Sequence, residues 1–123
     1  MDPLIIDEKL LGVGNPVYVI AEIGINHNGQ LDLAKKLIDV AAVAGCQAVK
    51  FQKRSPELST PDSQKNVLRE TPWGTMSYLE YKKKIEFGKH EYSEIASYSE
   101  EKGLHWFASP WDVPSLEFLE GMR

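Results

Sequence analysis

The segment Val17-Tyr-Val-Ile-Ala-Glu-Ile-Gly-Ile-Asn-His-Asn-Gly29 sets the architecture. Its first half is a short apolar run rich in β-branched residues, and its second half is a loop of Gly, Asn and His. The pattern predicts a buried parallel strand over 17–22 that delivers polar groups to one end of a sheet. Glu22 stands near the end of the run, where a carboxylate is costly unless it has a partner or a task. The device recurs in Ala48-Val-Lys-Phe-Gln52, where the charge inside the apolar run is Lys50.

Between these runs the periodicity changes to that of a helix. Residues 31–44 carry Leu33, Leu37, Val40, Ala41 and Ala44 at helical spacing on one face, and Gly45 is a natural residue to end the helix. The second strand is then 47–52. Upstream, Leu4-Ile-Ile and Leu10-Leu11 flank the polar turn Asp7-Glu8-Lys9 and predict a hairpin. Downstream, 53–74 is polar and holds Pro56, Pro61, Pro72 and Gly74, so it reads as a long loop, functional or mobile. Helical patterns follow over 78–86 and 91–102, broken near Gly88 and closed by Gly103. A third strand, 104–109, is halted by Pro110, and a third helix starts at Asp112 or Ser115 and runs through Leu119.

The order is an N-terminal hairpin (1–16) followed by three βα units (17–123), an α/β chain with a parallel sheet and right-handed crossovers. Three parallel strands alone leave faces and edges uncovered. The expectation is therefore an incomplete barrel, the first three βα units of a (β/α)8 TIM barrel whose other strands lie outside this chain. A small three-layer sandwich is the alternative.

The chain has 123 residues, 42% hydrophobic and 26% charged, with a net charge of −4. The run Lys82-Lys83-Lys84 reads as the solvated side of a helix, and no other basic cluster points to nucleic acid as the main partner. A single cysteine, Cys46, forms no internal disulfide and reads as a packed, reduced thiol. Asp2, Asp7 and Glu8 spoil any signal peptide, and no apolar run approaches the ~20 residues of a membrane span. The expected setting is cytoplasmic, with no membrane partner.

In parallel α/β sheets the reactive groups gather at the C-terminal ends of the strands. Strand alternation puts Val49 and Phe51 on the helix-packing face, and Lys50 and Gln52 on the other, with Glu22 sharing a face with Ile20. A lysine inside a barrel needs an anion to keep its charge. That anion is either Glu22, in a structural ion pair, or a substrate phosphate or carboxylate, and the pattern leaves both open. Lysine suits phosphate as a compact point charge. Gln52 offers a donor and an acceptor to a hydroxylated ligand. Ser109 can donate to a phosphate or cap a strand-end turn. Asn26 and His27 lie in the loop after the first strand. His27 has no second ligand at metal spacing, so it points to hydrogen bonding in the loop, and no residue is assigned to a metal. Trp73, in Thr71–Ser77, is the tryptophan expected near a ligand, while Trp106 and Trp111 read as core or pocket wall.

These residues, in order, form a combined pattern. Ala21-Glu-Ile-Gly-Ile-Asn-His-Asn-Gly29, Ala44-Gly45 and Ala48-Val-Lys-Phe-Gln-Lys53 are followed by Pro72-Trp-Gly, Leu79-Glu80, Ile85-Glu-Phe87, Glu101-Lys-Gly103 and Phe107-Ala-Ser-Pro110. The whole resembles the sialic acid synthase family, which includes N-acetylneuraminate, legionaminate and pseudaminate synthases and a related spore-coat polysaccharide protein. The resemblance implies a (β/α)8 barrel with a small antifreeze-like domain after it. It implies condensation of phosphoenolpyruvate with an N-acylated hexose such as N-acetylmannosamine, helped by a divalent metal, manganese or magnesium. By position, Lys50 matches the lysine that holds phosphoenolpyruvate and Gln52 the residue that contacts the sugar. Glu22 matches the active-site acid, in an orienting or proton-transfer role, and Ser109 the hydroxyl residue beside phosphoenolpyruvate. Asn26 and His27 fall in the same motif and are taken as substrate-binding. The family's metal-binding histidines lie on later strands, so no metal is expected on this chain alone. The second active-site lysine is also absent, so the isolated chain is expected to be inactive. The parent is expected to be a homodimer, with the antifreeze-like domain reaching the partner's site. The alternatives are a non-enzymatic anion- or sugar-phosphate-binding half-barrel and an aldolase-type barrel with Lys50 as Schiff base. The company of Glu22 and Gln52 fits the synthase better.

Overall fold

In the computed structural model, which describes residues 4–122, the chain opens with the antiparallel hairpin β1 (Leu4–Ile6) and β2 (Lys9–Leu11). Asp7 and Glu8 have φ of 45° and 69°, the left-handed geometry of a two-residue turn whose twist matches its strands. Lys9 thus belongs to β2 and not to the turn.

The centre of the fold is a parallel sheet of β3 (Ile20–Gly24), β4 (Ala48–Lys53) and β7 (His105–Pro110), in the order β3-β4-β7. The first crossover is α1 (Leu31–Val43). The second contains α2 (Pro56–Ser59), α3 (Asp62–Lys65), the hairpin β5 (Leu68–Thr71) and β6 (Gly74–Ser77), then α4 (Tyr78–Ile85) and α5 (Lys89–Glu101). The last helix, α6, is Val113–Glu120.

Three expectations are corrected. Residues 17–19 are not strand: Val17 is exposed, and pairing begins at Ile20, with the Val19 carbonyl already accepting from Gln47 N and Ala48 N. Second, 53–74 is not a structureless loop. Its prolines punctuate short elements: Pro56 occupies the first turn of α2, Pro61 precedes α3, and Pro72-Trp73 makes the tight turn of β5–β6. Third, the buried stripe of α1 is Ala34, Ile38 and Ala41, one residue out of phase with the predicted face, while Val40 and Ala44 are exposed. Two alanines in that stripe let the helix lie close to the sheet. The start of α4 is sharply specified. Ser77 Oγ accepts from Glu80 N (3.2 Å) and Glu80 Oε2 from Ser77 N (2.9 Å), a reciprocal capping box.

One hydrophobic core joins Ile23, Val49 and Phe51 of the sheet to Ala34 and Ile38 of α1 and Tyr92 and Ile95 of α5, with Phe118 of α6 packed against it. These helices therefore cover a single face. The other face carries Ile20, Glu22, Lys50, Gln52, Phe107 and Ser109, and here Ile20 (45%) and Phe107 (41%) stay exposed. The sandwich alternative required helices on both faces.

Candidate active site

The polar groups of the exposed face converge through strand register. Glu22 lies beside Lys50 on the neighbouring strand, and Lys50 Nζ is 2.5 Å from Glu22 Oε2. Both side chains keep solvent contact, 30% for Lys50 and 47% for Glu22. Across the other ladder, Gln52 pairs with Ser109 and Lys50 with Phe107. The three strands thus bring an acid, an amine, an amide and a hydroxyl to one surface, with Phe107 as an apolar neighbour.

Gly24 makes this convergence possible. The β3–β4 register slips between Glu22 and Gly24, a bulge, and Gly24 has φ +58°. A Cβ at this glycine would sit 3.2 Å from Glu22 Oε1 and 3.5 Å from Gln52 Nε2. The carboxylate and the amide therefore close over a spot that only glycine leaves open. Sequence reasoning missed Gly24 as part of the site, although a glycine two residues after a strand acid was the available signal.

The loop after β3 is held from within. Asn26 is exposed, and its backbone N and Nδ2 both donate to the Ile23 carbonyl (3.0 and 2.9 Å). His27 is buried (2% exposed), its ring stacked on Phe87 with centroids 3.9 Å apart, and its Nδ1 accepts from Gly29 N (3.0 Å). Burial, aided by the nearby Arg54 charge, pushes its pKa down to about 4, so the ring is neutral at ordinary pH. The ring lies in the packed layer with Phe51 and Phe87, apart from the Lys50 face. Gly29 (φ +70°) docks the loop on α4, where a Cβ would meet the Lys84 carbonyl at 2.4 Å.

Beyond the strand ends, Asp112 ties β4 to β7. It caps α6 by accepting from Ser115 N (2.9 Å) and also accepts from Ser55 N (2.7 Å) and Ser55 Oγ (3.0 Å). Burial alone would raise this carboxyl, but the hydrogen bonds from Ser115 and Ser55 outweigh it and hold the pKa at about 2. Sequence reasoning also missed Lys53, Arg54, Glu86 and Tyr92, which surround the end of β4.

Other expectations are placed differently. Lys82 is buried (3%), with Nζ over the Tyr78 ring (4.6 Å) and 3.4 Å from the Ser59 carbonyl, so it is not on the solvated side of α4. Trp73 sits at the β5–β6 turn under Lys84, and Trp111 lies beside Arg54. Cys46 is partly buried against the core. A cavity of about 840 Å³ lies at the opposite end of the sheet, between the hairpin and the starts of β3 and β7. There His105 bridges Tyr18 Oη (2.5 Å) and Asp7 Oδ2 (2.9 Å), a latch that holds the hairpin down. Among the described residues, no group of three or more His, Cys, Asp or Glu is placed to hold a metal, and no helix is long and apolar enough to cross a membrane.

The chain is similar to known proteins over most of its length. The sequence profile described as the NeuB family matches residues 37–123. Human N-acetylneuraminate-9-phosphate synthase is 38% identical over 94% of this chain and 32% of its own length. Among solved structures, the N-acetylneuraminic acid (sialic acid) synthetase of Leptospira borgpetersenii serovar Hardjo-bovis, in complex with citrate, superposes with a TM-score of 0.81 at 33% identity. The match covers 98% of this chain and 38% of that one. The spore coat polysaccharide biosynthesis protein spsE of Bacillus subtilis superposes with a TM-score of 0.69 at 31% identity, covering 98% of this chain and 31% of that one. The chain spans about a third of the length of the curated relatives it matches.

Proposed function

The chain belongs to the NeuB family, and on that premise we propose that it forms one wall of the active site of a sugar acid synthase. The reaction is condensation of phosphoenolpyruvate with an N-acylated hexose of the N-acetylmannosamine type. The enolpyruvyl C3 bonds to the sugar's aldehyde carbon, water adds at C2, and the tetrahedral intermediate expels inorganic phosphate. The products are a sialic-acid-like nonulosonate and phosphate. On this reading the chain supplies the first three βα units of a barrel, and the remaining strands and the second subunit of a homodimer lie outside it.

The observation that carries the proposal is the convergence of Glu22, Lys50, Gln52 and Ser109 on one exposed sheet face. Lys50 binds the phosphate or carboxylate of phosphoenolpyruvate as a point charge. The Ser109 hydroxyl donates to the same anion, and the Gln52 amide orients the sugar hydroxyls. Glu22 holds the Lys50 ammonium in place until the anionic substrate arrives, in an orienting or proton-transfer role.

A purely structural ion pair is the competing reading, favoured by the 2.5 Å contact itself. An ion pair this exposed contributes roughly 0–1 kcal/mol. That is too little to account for two charges set into adjacent apolar strands.

The described residues do not compose a metal site. A divalent ion, manganese or magnesium, is proposed to bind through residues outside 4–122.

The test is release of inorganic phosphate from phosphoenolpyruvate by the full-length protein, with and without N-acetylmannosamine or its 6-phosphate. Release that depends on the sugar supports the reading. Absence of release with every N-acylated hexose offered, in protein shown to bind phosphoenolpyruvate, would replace it with the anion-binding reading.

A further inference from the structure

The strand that carries Lys50 and Gln52 ends in a buried polar cluster. Glu86, just beyond α4, reaches the first residues past Gln52. Its Oε1 accepts from Lys53 Nζ (3.0 Å) and from the Arg54 backbone N (3.0 Å), and its Oε2 stands 3.5 Å from Arg54 Nε. The 3.5 Å contact is an ion pair without hydrogen-bond geometry, since Arg54 Nε and Nη2 have no hydrogen-bond partner. The three side chains are 11%, 5% and 10% exposed for Lys53, Arg54 and Glu86. Lys53 Nζ also donates to the Phe87 carbonyl (2.9 Å).

A second anchor acts one residue earlier. His105 N donates to the Gln47 carbonyl and Trp111 N to the Lys53 carbonyl, so the odd residues of β4 face β7. Alternation turns the Gln52 carbonyl towards β3. Pairing with β3, however, ends at Gly24 and Phe51, so no strand partner remains for that carbonyl. The Tyr92 hydroxyl takes the place, donating to Gln52 O at 2.8 Å. Tyr92 is 1% exposed, and its ring is wedged edge-on against Phe51, Phe87 and Phe118. The hydroxyl therefore comes from a side chain with almost no freedom.

We propose that Tyr92 and Glu86 are positioning residues for the active site: they fix the end of β4 and so aim the Gln52 side chain at the sugar subsite. Neither touches the Lys50 face. They hold the end of β4 where its pairing with β3 has stopped at Gly24 and Phe51. The buried cost of the Lys53–Glu86–Arg54 cluster is consistent with a role in specifying geometry. The inference rests on the synthase reading above, and its test separates the two.

The decisive variant is Tyr92→Phe, which removes one oxygen and keeps the ring packing. In the full-length enzyme it is expected to raise the KM for the acylated sugar about 5-fold, the weight of one neutral hydrogen bond. The KM for phosphoenolpyruvate stays within about 2-fold, because Lys50 lies within the paired part of β4. Glu86→Gln, which keeps an acceptor but strands two cations, is expected to lower kcat/KM for the sugar by roughly 10- to 100-fold. A readout that needs no turnover accompanies these. With 15N-labelled glutamine, the side-chain amide signals of Gln52 shift or broaden in Tyr92→Phe. Those of Gln47, held by Val19 N (2.6 Å) and Gly45 O (2.8 Å), stay in place. Unmoved Gln52 signals, or equal rises in both KM values, would overturn the positioning role. No condensation activity in the wild type, with the Gln52 shift still seen in Tyr92→Phe, would defeat the synthase reading alone.

Discussion

The two faces of the β3-β4-β7 sheet are built from alternate residues of the same strands, yet they are under opposite constraints. On the helix-covered face, Val49 and Phe51 are fully buried and locked among Tyr92, Ile95 and Ile38. On the other face, Lys50 and Gln52 keep solvent contact and meet Glu22 and Ser109. One face holds the chain together, and the other gathers polar groups that stay accessible to solvent. The lesson is that a single strand can be read twice, its odd residues for stability and its even residues for the chemistry proposed above.

The comparison breaks most easily on the packed face. Phe51→Ala removes a fully buried aromatic and is expected to cost about 3–5 kcal/mol, enough to unfold much of a marginal chain. Urea denaturation followed by circular dichroism reads this directly, and a loss below about 1 kcal/mol would show that the core is not centred on β4. Next in size is a pH effect at His27. The folded ring takes a proton only below about 4, whereas the unfolded ring takes one below about 6.5. Between these values the unfolded state binds more protons, so stability falls as pH drops, by on the order of 2–3 kcal/mol at pH 4. His27→Gln, whatever its own stability, should lose that slope.

Smaller effects sharpen the contrast. Asp112→Ala removes the α6 cap and the tie to Ser55, and is expected to cost about 1 kcal/mol near neutral pH. Because the folded carboxyl titrates near 2, below its ordinary value of 3.8, the stabilisation is full above about 4. It is lost as pH falls from there through about 2, and a melt series across that window checks it. Smallest for stability is Glu22→Gln on the open face. It is expected to shift unfolding by less than about 1 kcal/mol, since the pair with Lys50 is exposed. In the full-length protein, the proposed function predicts that the same variant impairs condensation.

Much of this contrast was legible in the sequence. The apolar runs located all three parallel strands, and alternation put Lys50 and Gln52 opposite Val49 and Phe51. Gly45 and Gly103 marked the ends of α1 and α5, where both adopt positive φ. What escaped was set by contacts distant in sequence. The stripe of α1 could be chosen only by the sheet it lies on, because apolar residues cover more than one of its faces. Elements as short as α2, α3, β5 and β6 have too few residues to show a period. His27 read as a loop polar group because nothing local announces Phe87 beneath it. The Glu86 cluster joins residues more than thirty positions apart, and no spacing rule connects them.

The most direct test of the division between the faces is phosphoenolpyruvate binding by the full-length protein carrying Lys50→Ala, measured by titration calorimetry beside its melting curve. Loss of one charge-assisted contact, about 1.5–3 kcal/mol, predicts an affinity roughly 10- to 100-fold weaker with the melting temperature nearly unchanged. Wild-type affinity in that variant, or a collapse of its melting temperature, would place Lys50 with the structural residues and contradict the account.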